Sequence, residues 1–203
     1  MGNRRMGARR LNALMGSKLA EDNRNTAGPG IKDAVVSSTV HRQGNKVTTQ
    51  ISIDLGTSKA TIASKNTLHD VIGVSGTDGA YLTQLTPAIN GYITYAEMVC
   101  LEVPTAATNA CTDIDLRLSS ASDGAYDDDS SGLAGTVLLI EAGGAWALGE
   151  VDHYAAAHGT AHDIGADNLY VYLAVGAAPG GDDTFTGGKY VITFEGYLVP
   201  DDK

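Results

Sequence analysis

Three clusters of side chains in this sequence carry the groups that metal or acid–base chemistry needs. Asp123, Asp127, Asp128 and Asp129 crowd with Ser130 and Ser131 into one turn-rich stretch, a density of hard oxygen donors that suits calcium. The EF-hand order, with glycine at the sixth position and glutamate at the twelfth, is not met, so a solvated acidic loop is the favoured reading. His153, His158 and His162 stand with Asp152 and Asp163 in E-V-D-H-Y-A-A-A-H-G-T-A-H-D. The spacing of His158 and His162 suits a metal pair on one helical face, but Gly159 weakens a helix there and H-E-x-x-H is absent. No metal is expected. Asp113 and Asp115 alternate on one strand face, as paired-carboxylate chemistry requires, yet a polar, solvent-facing strand accounts for both.

A fourth motif, I-S-I-D-L-G-T-S-K-A-T-I at 51–62, resembles the first phosphate-binding segment of the actin and heat-shock-chaperone ATPase superfamily. The resemblance implies that Asp54 organises a metal while Gly56, Thr57 and Ser58 face phosphate. I-E-A-G-G-A-W at 140–146 would be a degraded second segment, with Glu141 and Ala145 replacing the aspartate and threonine. That superfamily needs two α/β lobes, more than 203 residues provide, and the helices between strands are missing. A plain hairpin turn at Gly56 is the expectation instead. The one other phosphate-loop candidate, Gly188-Lys189, has Asp183 where the first glycine belongs and Tyr190 where Ser or Thr belongs. Neither G-x-G-x-x-G nor a G-x-S-x-G elbow is present, so the expectation is no enzyme and no cofactor.

The elements that must position these residues read as strands. From Ile31 onward, short runs of Val, Thr, Ile, Leu and Tyr are separated by Gly, Asp, Ser and Asn, the pattern of an all-β domain. Strands are predicted near 34–41, 46–54, 58–64, 71–74, 80–85, 91–103, 112–118, 136–141, 168–176 and 189–199. Alternation is clearest at 47–54 and 113–118, so each of those strands should have one solvent face. The alanine-rich stretch 151–162 has room for a helical turn or two, and 119–132 and 177–188 read as exposed loops. Strands at near-even spacing without helices between them favour a β-sandwich or jelly-roll-like domain.

Charge divides the chain. The formal net charge is −10, but residues 1–25 hold Arg4, Arg5, Arg9, Arg10, Lys18 and Arg24 against Glu21 and Asp22, a balance of +4. The remainder holds eight basic and 22 acidic side chains. The reading is therefore a basic arm and linker at 1–30 and an acidic β-rich domain at 31–203. Met6, Leu11, Leu14, Met15 and Leu19 fall near helical spacing, though Gly7 and Gly16 make an isolated helix marginal. The acidic body should be repelled by nucleic acid and by anionic membrane. Apolar stretches such as 136–140 and 169–175 fall short of the roughly 18 residues of a membrane span, and no apolar signal core follows the first arginines. Two cysteines, Cys100 and Cys111, are too few for a disulfide scaffold; free thiols are the default, with a single pairing open.

Several segments are familiar as a set. They are the opening M-G-N-R-R-M-G-A-R-R-L-N-A-L, the body segment G-A-Y-L-T-Q-L-T-P-A-I-N-G-Y-I-T-Y-A-E-M-V-C-L-E-V-P at 79–104, and D-I-D-L at 113–116. N-L-Y-V-Y-L-A-V-G at 168–176 and G-G-K-Y-V-I-T-F-E-G at 187–196 complete it. Together they resemble virion structural proteins of marine tailed bacteriophages, in particular the capsid decoration, or cement, class. The resemblance implies a protein on the capsid exterior, assembled in the host cytoplasm, with the major capsid protein as partner and with homo-oligomer or lattice contacts to itself. It transfers no residue-level motif. In such a protein Arg4, Arg5, Arg9 and Arg10 would meet capsid carboxylates while Leu11, Leu14 and Met15 fill a groove. The alternatives are another virion component, such as a major capsid or tail protein, or a carbohydrate- or receptor-binding module. The latter would use Trp146 and Tyr81, Tyr92, Tyr95, Tyr154, Tyr170, Tyr172 and Tyr190 for stacking, although core packing is the better reading of most of them.

Overall fold

Alternation of apolar and polar residues is strongest in the first two strands, β1 (Val35–Gln43) and β2 (Lys46–Asp54). Period 2 turns Val47, Thr49, Ile51 and Ile53 inward and leaves Thr48, Gln50 and Ser52 on the opposite face. A two-residue turn at Gly44 and Asn45 joins them, with φ 63° at Gly44. That is the value a type II′ hairpin needs at its first central residue, and glycine adopts it without a Cβ clash. The structure is a computed structural model that describes residues 27–31, 34–56, 62–64, 67–108, 111–155, 168–178 and 180–199. The arm residues Arg4, Arg5, Arg9, Arg10, Leu11, Leu14 and Met15 therefore lie outside the described residues.

The fold is all-β, with two antiparallel sheets in a sandwich-like arrangement, as the sequence predicts. The larger sheet orders β1, β2, β11 (Asp183–Tyr197), β3 (Ile62–Ser64) and β4 (Gly73–Val74). Along β11, opposite β2, runs β6 (Tyr92–Ala106), with β9 (Val151–Ala155) beyond it. The smaller sheet orders β5 (Thr83–Leu85), β10 (Leu169–Val175), β7 (Ile114–Ser119) and β8 (Val137–Ile140). A four-residue helix, α1 (Pro87–Asn90), links β5 to β6. No helix among the described residues is long and apolar enough to cross a membrane.

The spine of the larger sheet is β11. It pairs β6 from Phe185 to Tyr197 and β2 from Lys189 to Tyr197, while Asp183 and Thr184 pair β3. Register shifts around Gly187 and Lys189 mark a bulge, which bends the strand so that its two ends take different neighbours. Between the sheets lies one apolar cluster. Ile51, Ile53, Met98, Cys100, Ile192 and Phe194 face Ile114, Leu116, Leu118, Val171, Leu173 and Val175.

A further layer covers the outer face of the smaller sheet. Segments 67–82 and 119–135 fold over it around a small second cluster of Val71, Ala80 and Tyr172, with Tyr81, Tyr170 and Leu133 against it. Their backbones interlock: the Val71 amide donates to Asp128, Ala80 to Gly124, and Ser130 to His69. This layer corrects the expectation that 113–118 has a solvent face, because all six residues of β7 are buried. Three other readings change. The 151–155 stretch is strand β9, not helical turns, since Val151 to Ala155 pair with Val99 to Tyr95 of β6. Residues 183–188 belong to β11, not to a loop. The hairpin expected at Gly56 is not formed, because among the described residues β2 and β3 each pair with β11 and not with each other. Gly28 and Gly30, read as linker, donate to Tyr81 and Gly79.

Candidate functional site

The residues on the covered face of β7 form a buried ionic row. Asp115 is 2% and Arg117 5% exposed, and strand period puts Asp113, Asp115 and Arg117 on one side. Arg117 Nη2 lies 3.8 Å from Asp115 Oδ2 and 2.6 Å from His69 Nδ1. A guanidinium only donates, so His69 Nδ1 accepts and its proton is on Nε2. His69 is delivered by the covering layer with φ 72°; its carbonyl accepts both the backbone N–H and the hydroxyl of Ser130. Asp115 Oδ1 also accepts the Ala142 amide at 3.2 Å.

Gly176 makes room for the row's other end. Its amide donates to the Asp113 carbonyl at 2.9 Å. A Cβ at 176 would collide with Asp113 Oδ1 and come within 2.8 Å of Asp115 Oδ1. Burial pushes the Asp113 carboxyl up, with Asp115 and then Glu141 adding repulsion. Burial likewise raises Asp115, against the opposing pull of the Ala142 amide and Arg117. From 66 to 188 Arg117 is the one cationic side chain in the sequence, and the fold spends it here. Chemically the row joins three segments, β7, the 67–72 stretch and the 141–142 turn, through charge-assisted contacts.

The other sequence candidates take structural places. Asp54 Oδ1 accepts the Gly56 amide at 3.0 Å and Oδ2 lies 3.5 Å from Lys189 Nζ. A Cβ on Gly56 would meet Thr186 and Gly187 backbone at 2.5–2.7 Å, so the glycine serves strand packing; Thr57 and Ser58 lie outside the described residues. In the acidic loop, Asp128 caps the Ala125 amide, and Asp129 Oδ1 accepts both the amide and hydroxyl of Ser131. Among the described residues no group of three or more His, Cys, Asp or Glu is placed to hold a metal. His153 stacks at 6.1 Å on Tyr95, while His158, His162 and Asp163 lie outside the described residues. Trp146, Tyr172 and Tyr190 are buried, which removes them as stacking faces for a glycan. Cys100 and Cys111 are buried free thiols.

A surface feature escaped the sequence reading. On the outer face of the larger sheet, Val191, Val99 and Val151 stand side by side across β11, β6 and β9. Leu101 follows on β6, and Leu148 tips the 147–150 turn, whose Gly149 amide donates to Cys100. Leu148 is 73%, Leu101 53% and Val151 50% exposed. Glu97, Glu102, Glu150 and His153 surround them. The chain matches no protein-family model, no curated protein and no solved structure. The side chains' own chemistry must then rank the two features. The ionic row is sealed under a folded layer, whereas the apolar patch is open, and an apolar patch with a charged rim is the signature of a protein-binding face.

Proposed function

We propose that the chain is a non-enzymatic virion structural protein that decorates and stabilises the exterior of an icosahedral capsid, with the major capsid protein as its partner. The observation that carries the reading is the exposed apolar patch of Leu101 and Val151 on the larger sheet with Leu148 on the adjoining 147–150 turn. Burying each leucine against a partner contributes about 1.5–3 kcal/mol. A lattice multiplies that gain, because copies fixed on many equivalent subunits act with avidity. The basic segment 1–30 adds arginines that pair with carboxylates of a neighbouring subunit. The virion-like segments of the sequence support the same reading.

The test uses virions banded from a lysate that contains the chain. The expected result is co-banding with intact particles and regular density outside the shell by electron cryomicroscopy. Leu101→Asp combined with Leu148→Asp should abolish binding to particles stripped of the protein while leaving the fold intact. Chain found only in the soluble fraction, or a double variant that binds as the parent does, refutes the proposal.

A further inference from the structure

Strand β1 lies at one end of the larger sheet and, among the described residues, pairs only with β2. It is the longest strand in such a position, nine residues, with no proline and no charged side chain from Val35 to Val40. Proteins usually blunt an edge of this kind, because its outward amides and carbonyls are a template for another strand. The phase of the ladder shows which groups face outward. The Gln43–Lys46 pair closes a two-residue hairpin and so is hydrogen-bonded, which turns the even-numbered residues of β1 outward. In agreement, the Val36 amide turns from β2 to the Ala34 carbonyl at 2.8 Å. Ser38 and Val40 share that phase.

Beside the edge is a small cleft, ≈ 60 Å³, lined by Ser38 and Val40 of β1, Thr83, Gln84 and Thr86 at β5, and Ile89 and Asn90 of α1. Its lining comes from both sheets, β1 of the larger and β5 of the smaller. Asn90 closes its floor, donating to Thr49 Oγ1 at 2.8 Å and accepting the Thr86 amide at 2.8 Å. A bare edge beside a pocket for an inward side chain is what strand addition requires: the ladder supplies affinity and the pocket supplies register.

The geometry points to a second copy of this chain as the added strand. Val36-Ser37-Ser38-Thr39-Val40 reads alike in both directions by side-chain type. An antiparallel pair centred on Ser38 puts Val36 opposite Val40 of the other copy on the inner face. On the outer face it puts Ser37 opposite Thr39. Direct opposition of β-branched residues is favourable, and no charge meets a like charge. Such a contact is isologous, so one two-fold axis satisfies both edges. The Val36 and Val40 side chains then close the mouths of both clefts. The acidic bodies repel each other, so salt strengthens the pair.

Sedimentation of the full chain from about 1 µM to about 1 mM, at low and high salt, tests this. A concentration-dependent dimer that tightens with salt is expected. Val40→Lys, which places a charge at the cleft, and Ser38→Pro, which removes an outward amide but none of the β1–β2 ladder, should each weaken it about tenfold or more. Hydrogen exchange on the unmodified chain is the second arm: the Ser38 and Val40 amides should be slow in the dimer and fast on dilution. A chain monomeric throughout the range overturns the inference, as does a dimer indifferent to both substitutions. Equal protection of those amides in the dilute monomer overturns it as well, because another part of the same chain then covers the edge.

Discussion

The Trp146 ring meets the Tyr190 ring edge-on, centroids 5.5 Å apart at 75°, while its Nε1–H donates 2.9 Å to the Ile114 carbonyl. Tyr190 belongs to β11 of the larger sheet and Ile114 to β7 of the smaller, so one side chain from the β8–β9 connection ties both. An edge-to-face pair of this geometry contributes about 0.5–1.5 kcal/mol beyond burial. Trp146→Phe keeps the ring contact but leaves a buried carbonyl without its donor. It should lower unfolding free energy by about 1–3 kcal/mol in a urea titration, with an unchanged far-ultraviolet spectrum.

Asp113 sets a pH dependence whose sign is opposite to that of a salt-bridged carboxylate. Burial and the nearby Asp115 and Glu141 raise its carboxyl above the ordinary range. Its favourable contribution is complete below the unfolded value of about 4 and is lost as pH rises through the folded value. Asp113→Asn should therefore stabilise the protein at pH 7, with the gain shrinking toward pH 3. Urea midpoints at pH 3, 5 and 7 read this directly; a lower midpoint at pH 7 would contradict it.

Removing Arg117 strands its partner. Arg117→Met leaves the Asp115 carboxylate buried with the Ala142 amide as its remaining donor among those described above, and should cost about 3–5 kcal/mol at pH 7. The double variant Arg117→Met/Asp115→Asn should recover part of that loss. A purely additive double variant would mean the two groups do not interact.

The two thiols should be inert in the folded state. Burial pushes the Cys111 thiol up to about 12 and also raises Cys100, and only the thiolate reacts. Iodoacetamide at pH 8 should label neither cysteine over hours, and both within minutes in denaturant. Rapid labelling of the native protein would place one of them at the surface.

Much of the fold was legible along the chain. The alternating run Lys46–Asp54 forms a strand with those same limits, and the Tyr92–Ala106 and Leu169–Val175 strands fall close to their predicted spans. Local pattern specified the first two because each has one face in a core whose position period 2 reveals, and Leu169–Val175, buried on both faces, because it is a short apolar run of strand length. Residues 151–155 escaped because they run into the alanines that follow at 156, 157 and 161 in the sequence, and the pairing that makes them strand comes from Tyr95, Ala96, Glu97, Met98 and Val99 of β6, far upstream. The apolar patch escaped for a related reason: Val99, Val151 and Val191 are far apart in sequence and adjacent only through register.

The sequence by itself determined a β-rich chain whose basic segment ends near Asn25 and whose body is strongly acidic, because composition and charge belong to the residues whatever they contact. It also determined which strands alternate. Tertiary structure alone decided that Asp115 and Arg117, polar by every local rule, lie inside. Alternation reports that a strand has two unlike faces, not what covers the second one. The cover here comes from His69, about 45 residues upstream of Asp115, and from a loop downstream. Placing that cover takes long-range chain closure, which no local pattern encodes.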